Sequence, residues 1–276
     1  MNTRVYSALI ADTFQEARAR WLFWGLFGLS TLLIVIFLFV LRIDLVQGAV
    51  SIMGIQASAH PIYDVRRFVN ISCSWVSTTL YIWGTFLAVF ASSGLIPSVL
   101  EPGRIALLLS KPLSRTTLLL GRYAGNLLVV LLNHVYLIAS IWIIIGLKTG
   151  IWETRFLLAI PISVFVFSVL LCVVVLIGVL SESAALSTMV AVAIMLVSTI
   201  LAQRSFVVRL LDSEWSRQLW MGFYWFIPKV FDLGNALRQI ILLDKDAELL
   251  MPVLTSAAFG LGVMMIAIHL FRRKDF

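Results

Sequence analysis

Charge is what this chain has least of. Asp, Glu, Lys and Arg make up 13% of its 276 residues, about half the roughly 25% of an ordinary globular domain. In their place 61% of the residues are hydrophobic, and the mean hydropathy is +1.01. A soluble fold of this length has too little interior for so much apolar surface, so the composition excludes one. Cysteine is scarce as well: Cys73 and Cys172 both lie inside apolar runs, where a thiol acts as a small hydrophobe, and no disulfide framework follows. No GxxxxGK[ST] phosphate loop occurs, which excludes ATP binding by that route. His60, His134 and His269 fall on different segments, and no HExxH or CxxC cluster offers metal-ligand spacing. Acidic residues are missing from every long apolar run, which argues against an ion-coupled carrier. An intramembrane enzyme would need reactive polar groups at depth, and only the serines near residue 75 with His134 offer a beginning of that. His134, without an acidic partner in its own run, reads as a structural histidine satisfied by protein.

What the chain has in quantity is apolar runs of membrane-crossing length, at 21–41, 72–96, 123–147, 156–180, 184–202 and 251–271. The net charge of +7 is concentrated in the gaps between them, where basic residues act as anchors and orientation signals and do not point to nucleic acid. The expected architecture is an all-α integral membrane protein, one unit of six transmembrane helices. Residues 1–20 precede the first run with Val5, Tyr6, Leu9, Ile10 and Phe14 on one side and Asp12, Glu16 and Arg20 on another, the pattern of an amphipathic interfacial helix. No cleavage site follows the first run, which is expected to stay as an anchor. Trp21 and Trp24 stand at its mouth, as interfacial indoles do.

The gaps differ in character. Residues 42–71 and 148–155 read as outer connections and Ser181-Glu182-Ser183 as a short inner hairpin tip. Residues 203–250 hold many aromatics with six basic and six acidic residues. Their apolar stretches are too short to cross a bilayer, so short interfacial or re-entrant helices broken at Pro228 and Gly234 are expected. The second run carries Ser74, Ser77, Thr78 and Thr85 among other hydroxyls, which serve helix packing more often than a watery path.

Residues 98–115, SVLEPGRIALLLSKPLSR, form a polar island. Pro97 and Pro102 limit the preceding helix, and Gly103 permits a reversal. Ile105, Leu108 and Leu109 recur at helical spacing with Arg104 and Lys111 on the wet side. Lys111-Pro112 stops that turn, and Ser114 is placed to cap the next helix.

EPGRIALLLSKPLSRTTLLLGRYAG (residues 101–125), together with TFQEARARWLFW (13–24) and FIPKVFDLGNALR (226–238), resembles the permease subunits of ABC transporters of the ABC-2 type, in the branch that includes the maturation and gliding permeases. The resemblance implies a subunit that pairs with a second permease, identical or not, and recruits two copies of a separate ATPase subunit. ATP and Mg would be bound by that partner, and this chain would hold no cofactor of its own. Glu101, Gly103, Arg104, Leu108, Ser110, Lys111, Pro112, Ser114 and Arg115 would then form the ATPase-coupling element, with Glu182 in a smaller second contact. The second and fifth runs would face the pathway, with Ser74, Ser77, Thr78, Thr85, Ser187 and Ser198 as its candidates, and residues 203–250 would cap its outer end. The implied activity is export across a bacterial cytoplasmic membrane, with no catalysis in this chain. The competing expectation is a non-transporting membrane scaffold that recruits a cytoplasmic partner through the same island. Six spans place both termini on one side. The Lys and Arg count, ten inside and eleven outside, does not decide which, but the basic leader and the Arg272-Arg273-Lys274 tail, both close to spans, favour the cytoplasm.

Overall fold

The computed structural model describes residues 15, 21–40, 44–46, 49–52, 55–56, 65–94, 97–100, 114–203, 207, 213–243 and 248–274. The leader apart from Gln15, and the island from 101 to 113, lie outside the described residues. Eight helices account for most of the rest: α1 (Trp21–Val40), α2 (Val65–Ser93), α3 (Arg115–Thr149), α4 (Ala159–Ser181), α5 (Ala184–Ala202), α6 (Glu214–Phe226), α7 (Val230–Leu243) and α8 (Leu250–Arg273). Five of them, α2, α3, α4 with its preceding 3-10 turn, α5 and α8, are long and apolar enough to cross a membrane. The protein is a multi-pass α-helical membrane protein.

The element bounds depart from the runs where polar residues continue a helix. α2 begins at Val65, so Arg66 and Arg67 belong to it and not to a loop, and α3 begins at Arg115, eight residues before its apolar run. Backbone hydrogen bonding extends both, because a helix needs no apolar residue once it is nucleated. Between α1 and α2 the chain also forms a three-stranded antiparallel meander, β1 (Asp44–Val46), β2 (Ala49–Ile52) and β3 (Ile55–Gln56), where an irregular connection was expected. Its register pairs Val46 with Ala49 and Ile52 with Ile55.

α4 is the hub of the bundle and touches α2, α3, α5, α7 and α8. It is apolar all round, which is the signature of a helix buried among others; Phe167, Leu170, Leu171, Val174 and Val175 are fully buried. Lipid tails supply no hydrophobic drive between helices, so polar groups and close packing hold the others. Asn133 Nδ2 on α3 donates to Ser30 Oγ on α1 at 3.1 Å, and Ser92 Oγ on α2 donates to Asn126 Oδ1 on α3 at 3.0 Å. Cys73 and Cys172 are buried thiols in α2 and α4.

α6 and α7 form a helical hairpin in which α7 packs against α2, α4 and α5. The turn at Ile227–Lys229 comes at Pro228, as expected, but α7 runs unbroken through Gly234. There glycine serves packing: a Cβ would meet Tyr81 Cε1 at 2.6 Å. Tyr81 in turn donates its hydroxyl to Val230 O at 2.5 Å. Ser198 Oγ donates to Pro228 O and the Lys229 N–H to Ser256 Oγ, each at 2.9 Å. The backbone groups freed by the proline turn thus find partners on α2, α5 and α8, which is what irregular backbone buried inside a bundle requires. At 1.5 Å per residue, Ser256 lies about 9 Å from the Leu250 end of α8 and about 26 Å from its Arg273 end.

Candidate functional site

The N-terminus of α3, the α4–α5 turn and the C-terminus of α8 meet at one end of the bundle. Ser114 caps α3, accepting from the Thr117 N–H at 3.0 Å. Arg115, the next residue, donates to the carbonyl of Arg272 at 3.3 Å and to that of Lys274. Lys274 pairs with Glu182 at 2.5 Å and donates to Val179 O at 2.7 Å. Cations at the C-terminal ends of α4 and α8 thus meet carbonyls that have no partner within their own helices. Glu182 closes α4 in the left-handed region, at φ 53°, a conformation that costs a non-glycine residue about 1 kcal/mol. Two residues predicted for coupling, Arg115 and Glu182, therefore share Lys274 as a partner. The other coupling candidates, Glu101, Gly103, Arg104, Leu108, Ser110, Lys111 and Pro112, lie outside the described residues.

A second feature lies between α2, α5 and α7. It is an apolar groove of about 470 Å³ whose lining includes Thr78, Trp83 and Phe86 of α2, Met195 and Thr199 of α5, and Phe231 of α7. Of the six pathway candidates, Thr78 lines this groove, with its hydroxyl turned back to Ser74 O at 2.8 Å. Ser77 donates to the same carbonyl, and Ser187 to Ser183 O. Ser198 holds the hairpin turn. Ser74 and Thr85 are buried in the bundle. Such back-bonding satisfies a hydroxyl at depth without water.

The sequence reading of His134 needs one correction. Nδ1 lies 3.0 Å from Val130 O, but Nε2, packed against Gly84, has no hydrogen-bond partner among the described residues, so the ring is satisfied on one side only. Three further features were missed. Arg122 is 2% exposed near the start of α3, where its place just before an apolar run was the available signal. Lys229 is 4% exposed at the hairpin turn, its Nζ 3.4 Å above the Tyr224 ring centroid and donating to Tyr224 O. Beyond it, Lys229, Asp232, Gln239, Glu248 and Thr255 help to line a polar chamber of about 360 Å³ between α6, α7 and α8. No contiguous motif marks that chamber, since its residues come from three elements.

No family model and no curated protein matches the chain. The functional reading therefore rests on the two ends of this bundle and on the groove between them.

Proposed function

We propose that the chain is the permease subunit of an ATP-driven ABC transporter of the ABC-2 type, an exporter in the bacterial cytoplasmic membrane, whose ATP and Mg are bound by a separate ATPase subunit. The observation that carries this reading is the groove between α2 and α5, floored by a re-entrant hairpin: a second permease docked over it would turn an open cleft into an enclosed path. α1 supplies the sixth crossing, since its 20 residues span about 30 Å. With six crossings both termini lie on the cytoplasmic side, and so does the cluster of Arg115, Glu182 and Lys274. The 101–115 island, continuous with that cluster through Ser114 and Arg115, is the handle on which the ATPase pulls. Because Arg115 grips the end of α8 and Glu182 the same lysine, movement of the island reaches α3, the α4–α5 turn and α8 together.

The test is co-purification in detergent with the host's ATPase subunits. The wild-type chain retains one, and alanine at Glu101, Lys111 and Arg115 releases it while the bundle stays folded. Failure of the wild-type chain to retain any ATPase would overturn the transporter reading in favour of a membrane scaffold that recruits some other cytoplasmic partner.

A further inference from the structure

α7 is a partition with two unlike faces. Phe231, Gly234 and Arg238, at helical spacing, border the apolar groove, whereas Asp232, Ala236 and Gln239 border the polar chamber; Asn235 lines both. Arg238 Nη2 donates to Asn235 Oδ1 at 3.4 Å, which sets a guanidinium at the junction. The chamber holds the carboxylates of Glu248 and of Asp232, the latter accepting from the Tyr224 hydroxyl at 2.7 Å, and one ammonium, Lys229, which is 4% exposed and donates to Tyr224 O. Volumes of this size suit small ligands, whose sites are mainly apolar with a few placed polar groups. Here the apolar and polar parts are separated by one helix.

We infer that the paired cavities bind an amphiphile with a zwitterionic head, of the phosphate-plus-amine type, its acyl chain in the α2–α5 groove and its head over Asn235. The charge order decides the head. A guanidinium at the junction suits a phosphate, which it can bind bidentately, and the chamber's two carboxylates, which outnumber its one ammonium, suit an amine. An anionic head without an amine would add its charge to two carboxylates that already outnumber Lys229. A sugar head would leave Arg238 without a counter-charge. The chain-bearing groove is bordered by Trp83, 59% exposed, and Ile82, 47% exposed, so an acyl chain reaches it from the side of the bundle. This inference deepens the transporter reading by naming the class of molecule for the same groove.

The experiment uses the purified full chain in detergent and native mass spectrometry. Lysophosphatidylethanolamine, lysophosphatidylglycerol and an alkyl glucoside, all of one chain length, are titrated in turn. The zwitterionic probe is expected to bind about tenfold more tightly than either other, the effect of one charge-assisted contact. Arg238→Ala abolishes the preference over the alkyl glucoside, Glu248→Gln abolishes the preference over lysophosphatidylglycerol, and Trp83→Ala weakens all three probes alike. Equal binding of the three heads, or a preference that survives both head-site variants, overturns the inference. Because the measurement needs no ATPase, failure of ATPase co-purification leaves this result standing. ATPase retention with equal head binding removes this inference alone.

Discussion

Replacing Gly234 by alanine tests whether the hairpin is held by its contact with α2. A Cβ at that position lies 2.6 Å from Tyr81 Cε1 and 2.9 Å from Cδ1, well inside contact distance. Tyr81 has little room to yield: it is 3% exposed, and its hydroxyl is committed to Val230 O, four residues earlier on the same helix. Overpacking of this kind costs about 1–3 kcal/mol, and a swing of the ring that breaks the hydroxyl contact adds about 0.6–1.7 kcal/mol at membrane depth. Against this, alanine is the better helix former by about 1 kcal/mol, so a net loss of about 1–3 kcal/mol is expected. Reversible unfolding in mixed micelles with increasing SDS, followed by circular dichroism, measures it. In a Tyr81→Leu background the ring is gone, and Gly234→Ala should become neutral or stabilising, giving a coupling of about 1–3 kcal/mol in the double-mutant cycle. An equal cost in both backgrounds would refute the packing account of Gly234.

Ser30→Ala and Asn133→Ala, combined in a cycle, should show a coupling of about 0.6 kcal/mol between α1 and α3, the usual size for a hydrogen bond between membrane helices, read by the same SDS titration. Ser114→Ala should cost about 0.5–2 kcal/mol through loss of the α3 cap, and Ser114→Asp should restore most of it. Glu182→Gly removes the left-handed strain of about 1 kcal/mol and a partly exposed ion pair worth about 0.2–1 kcal/mol, so stability should stay nearly level while ATPase retention falls; unchanged retention would take Glu182 out of the coupling contact.

Much of the scaffold was legible because membrane crossing is a one-dimensional demand. About 20 apolar residues must follow one another, and the α5 run, 184–202, coincides with its helix to the residue. Ser114 as a cap, the turn at Pro228 and the hairpin tip at Glu182 were legible for a similar reason, since capping and chain reversal depend on neighbours in sequence. The length of α3 was less so, because its first turn is polar and is held by backbone hydrogen bonds and by Arg115 at the end of α8.

Three things could not be read along the chain. Gly234 looked like a helix breaker, and only Tyr81, 153 positions earlier, shows that it is a contact surface. The hydroxyls of the second run looked like one class, yet Thr78 borders a groove while Ser92 bridges to α3. Arg238, Asn235, Asp232 and Glu248 carry no spacing signal, because a site shared by two faces of one helix and the start of another is defined by which helices pack beside it. By itself the sequence determined a basic-ended, multi-pass helical membrane protein, since hydropathy and capping act locally. Tertiary structure alone decided which polar groups meet between helices, because where a buried donor such as Asn133 Nδ2 bonds to another helix, that choice is made by packing across the chain.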